Sequence, residues 1–120
     1  MSELYGPQPA KVDLWLGQGT TWDTQFLWET ELGPQNLTGW TVRMMLRASP
    51  EAASPTVSLT TATNTITAAS TGVIGLSYSA ISSAAITAAT YLYDMEAVSP
   101  SGAVRRLIEG NAVVSREMTR

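Results

Sequence analysis

Acidic side chains are the residues best able to do chemistry in this sequence, because the chain contains no histidine and no cysteine. Without those two residue types, the commonest general base, the commonest nucleophile–base pairs and all imidazole or thiolate metal ligands are missing. Among the ten acidic residues, Asp94 and Glu96 are the nearest pair on one predicted strand. Two residues along a strand span about 6.6 Å, and hydrolysis by a carboxylate pair needs about 5–10 Å between the acids. This pair is therefore the candidate for catalysis.

A structural role for Asp94 and Glu96 is nevertheless the favoured interpretation. Both would lie on an exposed strand face, opposite Arg105 or Arg106 of the next strand, across a tight turn at residues 99–102. The sequence also lacks a phosphate-binding glycine loop, a dinucleotide fingerprint and an Asp-x-Asp calcium pattern. We therefore predict a protein without catalytic, cofactor or metal sites.

The four tryptophans all lie in the first third of the chain and form its second notable group of residues. Trp22 and Trp28 share a predicted strand face with Phe26, which is typical of core positions. Trp15 differs, because its apolar neighbours take the opposite face, and it is predicted to be exposed. Exposed tryptophan is frequent at interface hot spots. An exposed ring would also suit a carbohydrate-binding platform, so both uses stay open.

Alternation with a period of two predicts strands along most of the chain. In the clearest strand, at residues 40–47, the apolar residues share the core face, while Arg43 and Arg47 lie outside or at an interface. Gly110-Asn111 is predicted to interrupt the last strand, which resumes at residue 112. The other predicted strands cover residues 12–16, 20–30, 56–61, 64–68, 73–78, 91–98 and 103–108.

These elements predict an all-β fold: an immunoglobulin-like antiparallel β-sandwich with one short helical turn near residues 79–89. Alanines near helical spacing predict the turn, and Ser79 or Ser82 would cap it. Tyr91 follows a small residue at the start of a late strand, like the corner tyrosine of such sandwiches, whose hydroxyl bonds back to the chain. Residues 1–10, with two prolines, are predicted to be an extended N-terminal arm, and residues 11–120 a single domain.

Charge and composition narrow the classes of partner. Charged residues make up 14% of the chain, against about 25% in typical soluble domains. So low a charged fraction fits either a protein that packs against other proteins or a soluble domain whose polar surface consists of Ser and Thr. The net charge is −3 and no basic run extends beyond Arg105-Arg106, which argues against nucleic-acid binding. No apolar stretch approaches the roughly 18 residues of a membrane span. Residues 1–9 lack a signal-peptide pattern, so synthesis in the cytoplasm is expected.

Four segments together resemble a family of small bacteriophage proteins encoded among the tail, baseplate and tail-fibre genes. They are GQGTTW at 17–22, LTGWTVRM at 37–44, YLYDME at 91–96 and RLIEGNAVVSR at 106–116. The resemblance implies an immunoglobulin-like virion component that adapts one ring or fibre of the particle to another. It assigns no binding residues, so the residue patterns alone name the structural or interface candidates Trp15, Arg43, Arg47 and Tyr91.

The leading hypothesis is a non-enzymatic assembly protein of a phage tail or baseplate, made in the host cytoplasm and located in the virion. It would bind neighbouring subunits or fibres, form a homo-oligomer in the particle, and need no nucleic-acid or membrane partner. Low charge and unpaired sheet edges suit such burial. The alternatives are a capsid decoration (cement) protein and a carbohydrate-binding module for host-surface glycans.

Overall fold

The structure, a computed structural model, describes residues 9–118. In chain order, its elements are β1 (Ala10–Lys11), β2 (Leu14–Gly17), β3 (Gln25–Leu27), β4 (Glu29–Thr30), β5 (Gly33–Pro34), β6 (Thr41–Arg47), β7 (Val57–Thr60), β8 (Ile66–Ala68), β9 (Val73–Leu76), α1 (Ala80–Ala84), β10 (Ala89–Val98) and β11 (Val104–Ser115). Most of the arm predicted over residues 1–10 lies outside the described residues, and its last residue, Ala10, already belongs to β1.

Two sheets and a separate hairpin make up the fold. The large sheet has the strand order β1-β11-β10-β6-β7, with β2 also paired to β11. The small sheet has the order β3-β9-β8, and β4 pairs with β5. Pairing is antiparallel except where β1 and β2 run parallel to β11. The predicted all-β, sandwich-like architecture is confirmed.

Both sheets turn their apolar faces toward one core. In β6 the predicted alternation holds, and the apolar residues at 42, 44 and 46 are buried. In β10 the buried positions are 91, 93, 95 and 97, again every second residue. Burial of such side chains stabilises a fold by about 1.5–3 kcal/mol each, so this alternation fixes which face of each strand points inward. The core includes Leu14, Leu16, Met44, Leu46, Leu59, Ile66, Ile74, Leu76, Met95 and Ile108.

Buried tryptophans lie at both ends of β3 in the small sheet and form part of the core. Trp22 and Trp28 flank β3 and are each 2% exposed, as predicted. Trp22 packs against Tyr78, with 5.0 Å between ring centroids. Trp28 meets Trp40 edge to face, with 5.2 Å between ring centroids. Such aromatic pairs stabilise by about 0.5–1.5 kcal/mol beyond their burial.

The connection from β9 to β10 contains the predicted helical turn and the predicted corner. The Ser79 hydroxyl caps α1 by accepting a hydrogen bond from the Ser82 N–H. The Tyr91 hydroxyl donates to the carbonyl oxygen of Thr87 at 2.6 Å, and the Tyr91 side chain is buried. The corner role of Tyr91 is therefore confirmed.

The predicted interruption at Gly110-Asn111 is wrong, because β11 continues through both residues. Glycine is required at 110 for another reason: a Cβ there would collide with the carbonyl group of Val12. The crossing backbone belongs to the N-terminal segment, whose parallel pairing with β11 is not visible in local patterns. Strand β11 is instead irregular at a β-bulge. The bulge lies opposite Met95 and Glu96 of β10, where the register of the two strands shifts.

Candidate functional site

The face of the large sheet that points away from the core concentrates charged side chains. We call this face the outer face. Strands β6 and β10 alternate inward and outward residues, so their outward charges become cross-strand neighbours of charges on the adjacent strands. The charged members of the outer face are Lys11, Arg43, Arg47, Asp94, Glu96, Arg106 and Glu109.

Two rows of paired residues cross the outer face. In the first row Glu109 pairs with both Lys11 and Asp94. In the second row Glu96 pairs with both Arg106 and Arg43. The central strand, β10, therefore places Glu96 between two arginines, whereas Asp94 lies between Glu109 and Met45.

The bulge in β11 decides which of its residues join these rows. Met95 pairs with Ile108, but Glu96 pairs with Arg106, so Leu107 is the extra residue. Leu107 and Ile108 are both buried although they are consecutive. A bulge re-aims the side chains that flank it, and here it turns both Arg106 and Glu109 outward, three residues apart.

Ion pairs connect the two rows into a network. The Arg43 guanidinium donates to Glu96 Oε1, from Nη2 at 2.9 Å and from Nε at 3.1 Å. The Arg106 guanidinium lies 3.4 Å from Asp94 Oδ2, 3.8 Å from Glu96 Oε2 and 3.7 Å from Glu109 Oε1. The Lys11 ammonium donates to Glu109 Oε2. Since these side chains stay partly or largely exposed, the pairs contribute little to stability, and the network mainly holds the charges in place.

Two carboxylates that face each other across β10 and β11 differ in their electrostatics. Burial, followed by the charge of Glu96, raises the pKa of Asp94, although Arg106 opposes the shift. The hydrogen bond from Lys11 lowers the pKa of Glu109. Asp94 is therefore the less well compensated of the two.

Two hydrogen bonds hold the N-terminal segment at the edge of the outer face, one partly buried and one exposed. The Tyr93 hydroxyl donates to the Val12 carbonyl oxygen at 2.6 Å. Burial, with a smaller contribution from the charge of Asp13, raises the pKa of Tyr93 above its usual range, so the phenol stays protonated as a donor. The Asn111 N–H donates to Asp13 Oδ1 at 3.0 Å, so a side chain accepts this hydrogen bond in the gap between β1 and β2.

A shallow concavity of about 780 Å³ lies over this part of the outer face. Its walls combine carboxylates and cations with the apolar side chains of Met45, Pro50 and Leu92. The carboxylates of Asp94 and Glu96 both lie near guanidinium groups. Within residues 9–118, no group of three acidic side chains is arranged to hold a metal ion. The arrangement suits contact with a polar or charged partner surface.

An apolar patch adjoins the charged rows. Trp15 is 72% exposed, and it pairs with Val113 across β2 and β11. Leu92 is also exposed, and it pairs with Asn111, two residues before Val113 on the same strand. Diagonal neighbours of this kind lie about 7–8 Å apart, within reach of an aromatic ring. Trp15, Val113 and Leu92 thus form one patch, which we call the Trp15 patch.

The structure places the four residues that the sequence singled out in different surroundings. Trp15 is exposed, as predicted, and Arg43 lies outward in the ion-pair network. Arg47 also lies outward, but its Nη1 donates to the Ala52 carbonyl oxygen at 2.9 Å and so holds the following loop. Tyr91 belongs to the core. Arg106, one of the two partners predicted for the carboxylates, faces them.

Sequence reasoning missed Lys11 and Glu109, which lie 98 positions apart in the chain. Their pairing depends on the parallel docking of β1 beside β11, for which the sequence carries no local signal. The bulge at Leu107 had one usable signal, because two consecutive apolar residues interrupt the alternation there.

None of the helices within residues 9–118 has the length and apolar character needed to cross a membrane. Comparison with known protein families and with curated proteins finds no match to this chain.

Proposed function

We propose that this chain is a non-enzymatic structural module that binds neighbouring protein subunits through its outer face. We further propose that these subunits belong to a bacteriophage tail or baseplate, an assignment that rests on the resemblance of the sequence segments. The observation that carries subunit binding is the Trp15 patch beside a network of mutually compensating charges.

The charge network makes the outer face suitable for burial under a partner. Covering a lone charge is costly, whereas a charge that keeps a partner loses less when water is removed. Arg43 and Glu96 keep their contact whether or not another subunit covers them. Asp94, whose pKa is raised, would gain from a basic side chain supplied by the partner.

The Trp15 patch supplies the apolar part of the proposed interface. Tryptophan and arginine are enriched among the residues that contribute most to binding, and these residues sit beside polar rims. Trp15 projects from a strand held by β11 and is therefore positioned before binding. Strand placement of this kind reduces the ordering cost of association.

Site-specific photo-cross-linking in particles of the phage that encodes the chain tests this proposal. A photoreactive residue replaces Trp15 in one variant and Leu32 in the control. Leu32 is 99% exposed in the turn between β4 and β5, a hairpin that is not part of the large sheet. We expect the variant at position 15 to cross-link to a defined virion protein in purified particles, and the control to give much less product. Equal yields at both positions would reject the outer face, and absence of the chain from purified particles would reject the virion assignment.

A carbohydrate-binding module is the second candidate, because the exposed ring of Trp15 could stack on a sugar. A glycan array probed with the wild type and with Trp15→Ala separates the two functions. Binding that is saturable and lost in the variant would favour the glycan module. The assembly proposal expects no glycan signal above background for either protein.

A further inference from the structure

The small sheet has an exposed strand edge, the side of β3 that does not pair with β9, which we call the outer edge of β3. It is distinct from the outer face, which belongs to the large sheet. We infer that β3 pairs antiparallel with β3 of a second copy of the chain, so that two small sheets join into one continuous sheet. The inference concerns a different surface from the proposed function, and either can fail without the other.

The hydrogen bonds of the small sheet show which backbone groups of this segment point outward. Trp22 and Tyr78 exchange two N–H···O bonds, at 2.9 and 3.0 Å. The Thr24 carbonyl accepts from β9 at 2.8 Å, and the Trp28 N–H donates to the Gly72 carbonyl at 2.9 Å. These backbone groups of the even-numbered residues therefore point to the β9 side, while the Trp28 carbonyl accepts from the Gln35 N–H at 2.9 Å.

The odd-numbered residues direct theirs the other way, because backbone groups alternate along a strand. Asp23, Gln25 and Leu27 thus present N–H and C=O groups to the outer edge. Among residues 9–118, β3 pairs with β9 alone. The side chains of all three residues are exposed, and that of Leu27 is 48% exposed. The edge is an uninterrupted template for another strand.

Two strand edges of the large sheet carry local contacts at one end. At the edge of β7 the Thr60 N–H donates to Thr65 Oγ1 at 2.9 Å, and the Thr65 N–H donates to the Thr60 carbonyl at 3.2 Å. At the end of β2 the Gly17 carbonyl accepts from Trp22 Nε1 at 2.9 Å and from the Thr20 hydroxyl at 2.8 Å. The outer edge of β3 has no such contact within residues 9–118, and Asp23 is its single charge.

A second copy fits this edge because the sequence of β3 is self-complementary in one antiparallel register. Centring the pairing on Gln25 places Asp23 of each copy opposite Leu27 of the other. The two Asp23 carboxylates are then about 13 Å apart along the strands, farther than the screening length of about 10 Å at 0.1 M salt.

The registers centred on the other two outward residues of β3 are less favourable. Centring on Asp23 puts two carboxylates directly opposite each other, which is destabilising. Centring on Leu27 puts Gln25 opposite Glu29, which lies beyond β3, and puts Asp23 opposite the turn that follows β4. The register centred on Gln25 therefore uses every outward residue of the edge.

Sedimentation equilibrium of the full chain, at concentrations up to the millimolar range, tests the pairing. An edge of this length is small compared with standard interfaces, so the expected dimer is weak. In Gln25→Pro the outward N–H is removed, a change that edge strands tolerate when that N–H faces solvent. We expect the wild type to dimerise, and Gln25→Pro to remain monomeric with an unchanged circular dichroism spectrum.

A charge-matched pair of variants tests the register. Leu27→Glu and Leu27→Lys both replace an apolar side chain by a charged one. In the dimer this residue faces Asp23 of the other copy, and the contact occurs twice. Glutamate at this position repels Asp23, whereas lysine attracts it. We expect the dissociation constant of Leu27→Glu to exceed that of Leu27→Lys by about tenfold or more at low salt, with a smaller ratio at high salt. A monomeric wild type, a dimer unaffected by Gln25→Pro, or equal dissociation constants for the two Leu27 variants would each overturn the inference. If Gln25→Pro is unfolded, the Leu27 pair decides alone.

Discussion

The two faces of β10 and β11 are built from residues of the same strands, yet they differ in burial and in their contribution to stability. Met95 points inward and is 0% exposed, while its neighbour Glu96 points outward into the ion-pair network. Removing apolar volume from a core leaves a cavity that cannot collapse fully. Weakening an exposed ion pair costs little, because water solvates the separated charges. The inner face therefore contributes most of the stability, and the exposed ion pairs of the outer face contribute little.

Substitution of the corner tyrosine should give the largest effect on the inner side. Tyr91→Ala removes a buried ring, and we expect the free energy of unfolding to fall by about 3–5 kcal/mol. Tyr91→Phe keeps the ring but loses the hydrogen bond to Thr87, and it should cost roughly 0.5–1.5 kcal/mol. Urea unfolding of both variants measures the difference. Equal losses would mean that packing of the ring does not matter at this corner.

Truncation of adjacent residues on β10 compares the two faces directly. Met95→Ala should lower the free energy of unfolding by about 2–5 kcal/mol, because it opens a cavity between the sheets. Glu96→Gln keeps the side-chain shape and weakens only exposed ion pairs, so we expect less than about 1 kcal/mol. Guanidinium unfolding curves for the two variants provide the test. A larger loss for Glu96→Gln would reverse the assignment of the faces.

The two facing carboxylates of the outer face should affect stability with opposite signs. The folded pKa of Asp94 is raised, so its ionised form lowers stability at neutral pH, and this loss is relieved as pH falls through the folded pKa. The folded pKa of Glu109 is lowered, so its contribution is present above the unfolded pKa and is lost as pH falls through the folded pKa.

Neutral variants of these two residues test the signs. At pH 7, Asp94→Asn should stabilise the protein by less than about 1 kcal/mol, since solvent screens this partly exposed group. Glu109→Gln should destabilise it. Thermal unfolding between neutral and acidic pH should show both differences shrinking as the carboxylates become protonated. Shifts of the same sign in the two variants would contradict the assigned electrostatics.

The smallest effect on stability is expected at the most exposed aromatic residue. Trp15→Ser should change the free energy of unfolding by no more than about 0.5 kcal/mol, because the ring is largely in water already. Thermal unfolding of the isolated chain measures this. A substantial loss would show that Trp15 supports the fold, and its proposed role in binding would lose its basis.

Much of the fold was predictable because it depends on neighbours within one strand or turn. Alternation placed Arg43 and Arg47 outward and the apolar residues of β6 inward. The same reasoning placed Trp15 in solvent and Trp22 in the core. Ser79 and Tyr91 were recognised from short-range chemistry, since a cap and a corner each join residues a few positions apart. The candidate site was predicted in part, because only its members on β2, β6 and β10 follow a clean alternation.

By itself, the sequence determined the class of fold, the inward and outward residues of the regular strands, and the absence of histidine and cysteine chemistry. Tertiary structure decided the docking of β1 and β2 beside β11, the need for glycine at 110, and the meeting of Lys11 with Glu109. It also decided that the bulge at Leu107 turns Arg106 and Glu109 to one face. The physical reason is that a side-chain period describes one strand, whereas register and pairing depend on segments far apart in the chain, which only the packed core brings together.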